Sequence, residues 1–189
     1  MRPVYAAGRT SLRTIPREAL LKIQGTHTIN APRQRVFEML TDAEALARCI
    51  PGARKLALVG ENTYELDINA GVGPIRGSYS GTVRLEDLNP PERYRMIVDA
   101  KGKTGFVRGE GSIRLAAEGD GTQVSYSGDV QLGGPVAAVG QRLHVSVSKM
   151  MTRQLFGAIE AEARAAPGET VKHGILRDYL RGKKPGAGR

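Results

Sequence analysis

Apolar and polar residues alternate from Leu21 to Asn30, with Leu21, Ile23, Gly25, His27 and Ile29 on one side, which reads as a first strand. The period then turns helical. Pro32 opens a helix where its missing N–H is not needed, and Val36, Phe37, Met39 and Leu40 form one apolar face. Asp42 stands as N-cap of a second short helix, Ala43 to Cys49, which Pro51-Gly52 ends. From Ala53 to Leu132 period two returns, and Gly, Asn and Pro cut it into six strands near 53–59, 62–70, 74–87, 92–102, 105–117 and 122–132. After Gly133-Gly134-Pro135, the stripe Leu143, Val147, Met150, Met151, Leu155, Ala158 and Ile159 predicts a helix of about 25 residues, ended by Pro167-Gly168. The expected fold is α+β: a seven-stranded antiparallel sheet curved around the long C-terminal helix, with two short helices after the first strand.

The more apolar parity of each strand places Tyr64, Tyr79, Tyr94, Met96, Val107 and Tyr126 on the concave face, with Gly77, Gly81, Gly109, Gly111 and Gly128 among them. An inward glycine supplies no volume, so one helix does not easily bring such a face to native packing density. Two explanations stand: a cavity between sheet and helix, or bends and close approaches that need glycine. If a cavity, its lining is Tyr64, Tyr79, Met96, Val107, Gly109, Gly111 and Tyr126 from the sheet and Leu143, Val147 and Met150 from the helix. The absence of Trp and a count of only three Phe fit a space filled by something other than the chain.

The length of 189 residues allows one domain with tails, and the charge shows where the tails are. Residues 1–21 hold four arginines against Glu18, and residues 167–189 hold six basic residues against Glu169 and Asp178. Residues 22–166 hold 18 basic and 16 acidic residues, so most of the net charge of +9 sits outside the expected domain. That distribution argues against a nucleic-acid-reading face. The first 21 residues lack the apolar core of a secretory signal and read as a basic extension. In the C-terminal segment Val171, Ile175, Leu176, Tyr179 and Leu180 recur at helical spacing among Lys172, Arg177, Arg181, Lys183 and Lys184. Either a basic amphipathic segment docking on an anionic membrane or partner, or a solubilising tail, fits this pattern.

The chain offers little catalytic chemistry. His27, His144 and His173 are far apart with no H-x-x-x-H or H-x-H pair, so neither a metal nor another cofactor is expected. No G-x-S-x-G occurs, and the single cysteine, Cys49, reads as a buried thiol in a reducing, cytoplasmic compartment. Gly102-Lys103-Thr104 lacks the glycine that a phosphate loop needs at Ile97, and Arg76 occupies the third glycine position of a dinucleotide fingerprint begun at Gly71. An enzyme would need a polar cluster in the cavity, such as Tyr79 and Tyr126 around His144.

The ordered set Asp42-Ala-Glu-Ala-Leu-Ala-Arg-Cys-Ile-Pro-Gly52, Gly73-Pro-Ile-Arg-Gly77, Leu88-Asn-Pro-Pro-Glu-Arg93, Gly109-Glu-Gly111, Gly121-Thr122 and Gly133-Gly134 with Gly140 resembles the carbon monoxide dehydrogenase G-subunit family. That family lies in the START-like, helix-grip superfamily, whose element order matches the one read above. The resemblance implies a non-enzymatic accessory protein for a molybdenum hydroxylase of the carbon monoxide dehydrogenase type, acting in maturation or membrane recruitment with a lipid-like ligand in the cavity. An isoprenoid quinone is one such ligand. The superfamily also contains polyketide cyclases, so a cyclase or hydrolase is the alternative. Docking to membrane or partner would fall to Lys172, Ile175, Leu176, Tyr179, Arg181, Lys183 and Lys184.

Overall fold

The computed structural model describes residues 18–72 and 75–164; the side chains of 72, 75, 139–148 and 151 are outside that description. In chain order the elements are β1 (Glu18–Ile29), α1 (Arg33–Thr41), α2 (Ala43–Cys49), β2 (Ala53–Gly60), β3 (Thr63–Val72), β4 (Ile75–Asn89), β5 (Arg93–Gly102), β6 (Gly105–Glu118), β7 (Gly121–Gly133) and α3 (Pro135–Arg164). All seven strands join one antiparallel sheet in the order β1-β7-β6-β5-β4-β3-β2. From β2 to β7 each strand pairs with its neighbour in sequence, and only β1 makes a long-range pairing.

Most strand ends lie within one or two residues of those expected, and two differences are larger. β1 begins at Glu18 rather than Leu21, because Ala19 continues the inward alternation and is buried against Leu132, Val136 and Ala137. Residues 18–20 therefore belong to the sheet and not to the N-terminal extension. α3 spans 30 residues because Gly134, at φ 77°, turns the chain directly from β7 into Pro135. The C-terminal segment 165–189, with its proposed docking residues, lies outside the described residues.

Side chains close the ends of the short helices. Pro32 sits at the N-cap of α1, and its carbonyl accepts from the Val36 N–H at 3.1 Å. At the other end of α1 the Tyr64 hydroxyl donates to the Thr41 carbonyl at 2.7 Å and the Tyr94 hydroxyl to the Leu40 carbonyl at 3.4 Å, satisfying carbonyls that the helix leaves unpaired. Asp42 then starts α2, its carboxylate accepting from the Ala45 N–H at 2.6 Å.

The main core forms where α1, α2 and the second half of α3 meet the sheet, around Val36, Phe37, Leu40, Cys49, Leu66, Ile113, Val124, Phe156 and Ile159. A second, small cluster of Ala19, Leu132, Val136 and Ala137 pins the first turn of α3 at the opposite end. Arg48 on α2 reaches the buried Glu162 on α3 at 2.5 Å, tying the two helices together. The convex face carries exposed ion pairs, among them Arg95 with Glu110 and with Asp87, which add little stability individually.

Because Asp42 closes α1 and opens α2, Asp42→Ala is expected to lower unfolding free energy by about 1 kcal/mol in urea titration. An unchanged midpoint would show that the carboxylate cap is dispensable.

Candidate functional site

The sheet register sorts the concave face into rows that cross the strands. One row is Ile23, Gly128, Gly111, Met96 and Leu85; the next is Leu21, Val130, Gly109, Val98, Val83 and Tyr64. Their middle members lie between the two core clusters, while Leu85 and Tyr64 belong to the main one. Most of their members are only half-buried although they face inward, while Leu85 and Tyr64 at the far end are buried. Among the described residues Ile23 and Val98 pack against neither cluster. These positions form a half-buried band, called here the trough, with Gly128, Gly111 and Gly109 along its middle and Ile23, Met96, Val98 and Val130 beside them.

The inward glycines divide between the two explanations. A Cβ on Gly81 would collide with the Asp99 carbonyl oxygen, and one on Gly128 would lie 2.6 Å from the Glu110 carbonyl oxygen. These two mark close backbone approaches. A Cβ on Gly109 would meet Val130 Cγ2 at 3.5 Å and the Asp129 oxygen at 3.7 Å, ordinary contact; on Gly111 the nearest is the Ser127 oxygen at 3.3 Å. At Gly77 the Thr104 hydroxyl occupies the space, 2.6 Å from such a Cβ. Gly109 is thus glycine without a backbone reason, and it lies in the half-buried rows.

One end of the trough is aromatic. Tyr126 lies over Gly25 and 5.5 Å from Phe156, and the His27 ring stacks on Phe156 at 5.1 Å. Neither His27 nor Phe156 was among the expected site residues; the apolar stripe runs through Leu155, its neighbour, whereas the helix turns Phe156 and Ile159 fully inward. Val107 packs on the small cluster at the other end.

The remaining expected residues are dispersed. Tyr64 is buried with its hydroxyl committed to α1, away from the floor. Tyr79 is buried with its hydroxyl 2.6 Å from Thr104 Oγ1, fastening the β5–β6 turn. Met150 stands at the surface, 37% exposed. Leu143, His144 and Val147 have their backbone in α3, and their side chains lie outside the described residues. Tyr79 aligns with Gly102 and Gly105, and Tyr126 with Ile113, so the two tyrosines are eight residues apart along β6, about 26 Å. They do not form one cluster.

Burial, with smaller contributions from nearby acidic or phenolic groups, raises the Tyr64 and Tyr94 hydroxyls above the usual phenol range, so both remain protonated donors. Burial first, and the Glu162 carboxylate second, push the Cys49 thiol up to about 11, with Arg48 acting in the opposite direction. That thiol is not a nucleophile at neutral pH. Among the described residues no group of three or more His, Cys, Asp or Glu is placed to hold a metal ion. No helix among them is long and apolar enough to cross a membrane.

The family model of CoxG, the G subunit of carbon monoxide dehydrogenase, matches residues 25–164. The chain belongs to the CoxG family. This CoxG-family fold is shared with a conserved protein from Geobacillus kaustophilus, at TM-score 0.72 and 33% identity over 76% of this chain and 95% of that one. The Zhui aromatase/cyclase from Streptomyces sp. R1128 gives TM-score 0.60 at 16% identity, covering 80% of this chain and 100% of that one. A START superfamily protein from Mycobacterium smegmatis gives 0.57 at 15%, covering 75% and 98%. No curated protein matches the chain. The START-like architecture of this CoxG-family chain is therefore established.

Two tests follow from this geometry. Gly81→Ala is expected to destabilise by about 1–3 kcal/mol through its clash with backbone, whereas Gly109→Ala is expected to be neutral or up to about 1 kcal/mol stabilising; equal urea midpoints would refute the distinction. The raised thiol pKa of Cys49 means that its contribution is complete below its ordinary value of 9.0 and is lost as pH rises toward 11. Stability should fall over that window more steeply in the wild type than in Cys49→Ala, measured by denaturant titration at each pH.

Proposed function

We propose that this protein holds an apolar ligand, a lipid or isoprenoid quinone, in the trough between sheet and α3. It serves a molybdenum hydroxylase of the carbon monoxide dehydrogenase type without catalysing a reaction itself, assisting maturation or membrane recruitment. The observation that carries this reading is the pair of half-buried apolar rows between two closed core clusters. Inward residues such as Ile23 and Val98 gain their full hydrophobic stabilisation only when something covers them. The glycine floor makes room for that occupant, and its walls are hydrocarbon. An apolar molecule is the matching chemistry.

Family membership supports the accessory role and the partner. The likeness to an aromatase/cyclase is one of fold, and fold is shared by many activities. The separation of Tyr79 from Tyr126 gives the cyclase alternative no polar cluster on the described sheet.

Native mass spectrometry of gently purified protein, followed by organic extraction, is expected to release an apolar molecule. Gly109→Leu places four carbons over the floor and should lower its occupancy several-fold, with an unfolding free energy within about 1 kcal/mol of wild type. A chain that is empty as purified and takes up neither a quinone nor a phospholipid would refute the reading.

A further inference from the structure

The two edges of the sheet are built differently. β2, at one edge, has 8 residues and two register shifts against β3, between Ala53 and Lys55 and between Leu58 and Gly60. Its exposed apolar residues, Leu58 and Val59, stand at the second shift, where the ladder is broken. Shortness and bulges are the usual protection of an edge strand against pairing with another chain. β1, at the other edge, runs for 12 residues in unbroken register with β7, and among the described residues no strand pairs with its outer side. It also carries Leu20, at 67% the most exposed large hydrophobic side chain among the described residues. Two residues to either side of Leu20, on the same convex face, stand the exposed Glu18 and Lys22. The Glu18 carboxylate accepts from the Gln131 side chain, and Lys22 aligns with Asp129 of β7, but neither makes an ion pair among the described residues. Four residues apart on one strand, about 13 Å, they are too distant to pair with each other.

We propose that the open edge of β1 receives a second copy of this chain, the two strands pairing antiparallel through residues 18–22 about a two-fold axis at Leu20. An axis perpendicular to the sheet keeps the concave faces on one side, so Leu20 meets Leu20 of the second copy, Glu18 meets Lys22 twice over, and Ala19 meets Leu21. Every position then finds matching chemistry. Apolar surface meets apolar surface at the centre of the convex face, and opposite charges meet on both sides of it. On the concave face the half-buried Leu21 falls against the buried Ala19 of the second copy, where the small cluster of each begins. Because side chains alternate between the faces, the permitted registers move in steps that keep each residue on its own face. The two nearest alternatives set Leu20 against Lys22 or against Glu18, and both lose the ion pairs. The complement of this segment is thus the segment itself, which favours a second copy over an unrelated strand. The product is one continuous sheet through both copies, with both α3 helices on the same side. A ladder this short buries less than the roughly 1,200 Å² of a stable interface, so the association is expected to be reversible and concentration-dependent.

The test is sedimentation equilibrium of the full chain from low micromolar to near-millimolar concentration, in about 0.15 M salt so that the net positive charges of two copies are screened from each other. The wild type is expected to show a reversible monomer–dimer equilibrium. Glu18→Lys alone and Lys22→Glu alone each set like charges opposite one another twice, and each should weaken association about tenfold or more. Glu18→Lys combined with Lys22→Glu should return it to wild-type strength. An equimolar mixture of the two single variants should form mixed dimers, since every charge then faces its opposite. Leu20→Lys should abolish association, and Leu58→Lys on β2 should leave it unchanged. A wild type that is monomeric throughout overturns the proposal, as does a dimer that survives both single charge variants. A dimer lost in Leu58→Lys also overturns it and places the contact at β2. Urea midpoints at low concentration show that the variants fold, and the restoring combinations guard against a loss caused by misfolding. If neither the combined variant nor the mixture restores association, the register, and with it the proposal, is wrong.

Discussion

Seven strands side by side make a sheet about 30 Å wide, and a helix with its side chains is about 10 Å across. No single helix covers the inner face of such a sheet. Curvature reduces the mismatch, and at glycines such as Gly81 and Gly128 the neighbouring backbone comes too close for any side chain. α1 and α2 cover a further part from the end at which Tyr64 and Tyr94 hold them. What is left is the band between the two clusters, and its shape follows from widths and glycines rather than from any specialised loop.

This division of the inner face also separates structural from functional side chains. The tyrosines buried deepest are spent on closure: two receive the end of α1 and a third secures Thr104. Glu162 and Arg48 bind α2 to α3, and Cys49 beside them is sealed by the same packing. Among the described residues the band is lined by Ile23, Met96, Val98, Val130 and glycine, residues without protons to exchange. Such a surface offers hydrocarbon contact rather than acid–base chemistry, and its polar neighbours at one end, Tyr126 and His27, are occupied with Phe156.

Local periodicity exposes most of the fold because an antiparallel meander repeats one rule, alternation broken by turn residues, and each strand meets its successor. Asp42 and the two short helices were equally legible, since capping is decided within four residues. The start of β1 was not, because Ala19 is inward only once β7 lies beside it. Nor does sequence distinguish Gly81 from Gly109: both occupy inward positions, and only the partner strand's backbone decides which has room. Phe156 was hidden by the apolar neighbour Leu155, where a shift of one position rotates a helix by about 100°. The destinations of the Tyr64 and Tyr79 hydroxyls depend on contacts made across the fold, which alternation does not encode.

α3 behaves as a beam held at two unequal supports. Towards its C-terminal end Phe156 and Ile159 sink into the main core and Glu162 adds an ionic clasp to α2. At its beginning, among the described residues, Val136 and Ala137 are gripped by Ala19 and Leu132, together with the bond from the Val136 N–H to the Thr104 carbonyl. Among the described residues, the first turn of the helix buries less apolar surface than its last turns do. The C-terminal half of the helix is therefore the more deeply anchored of its two described ends.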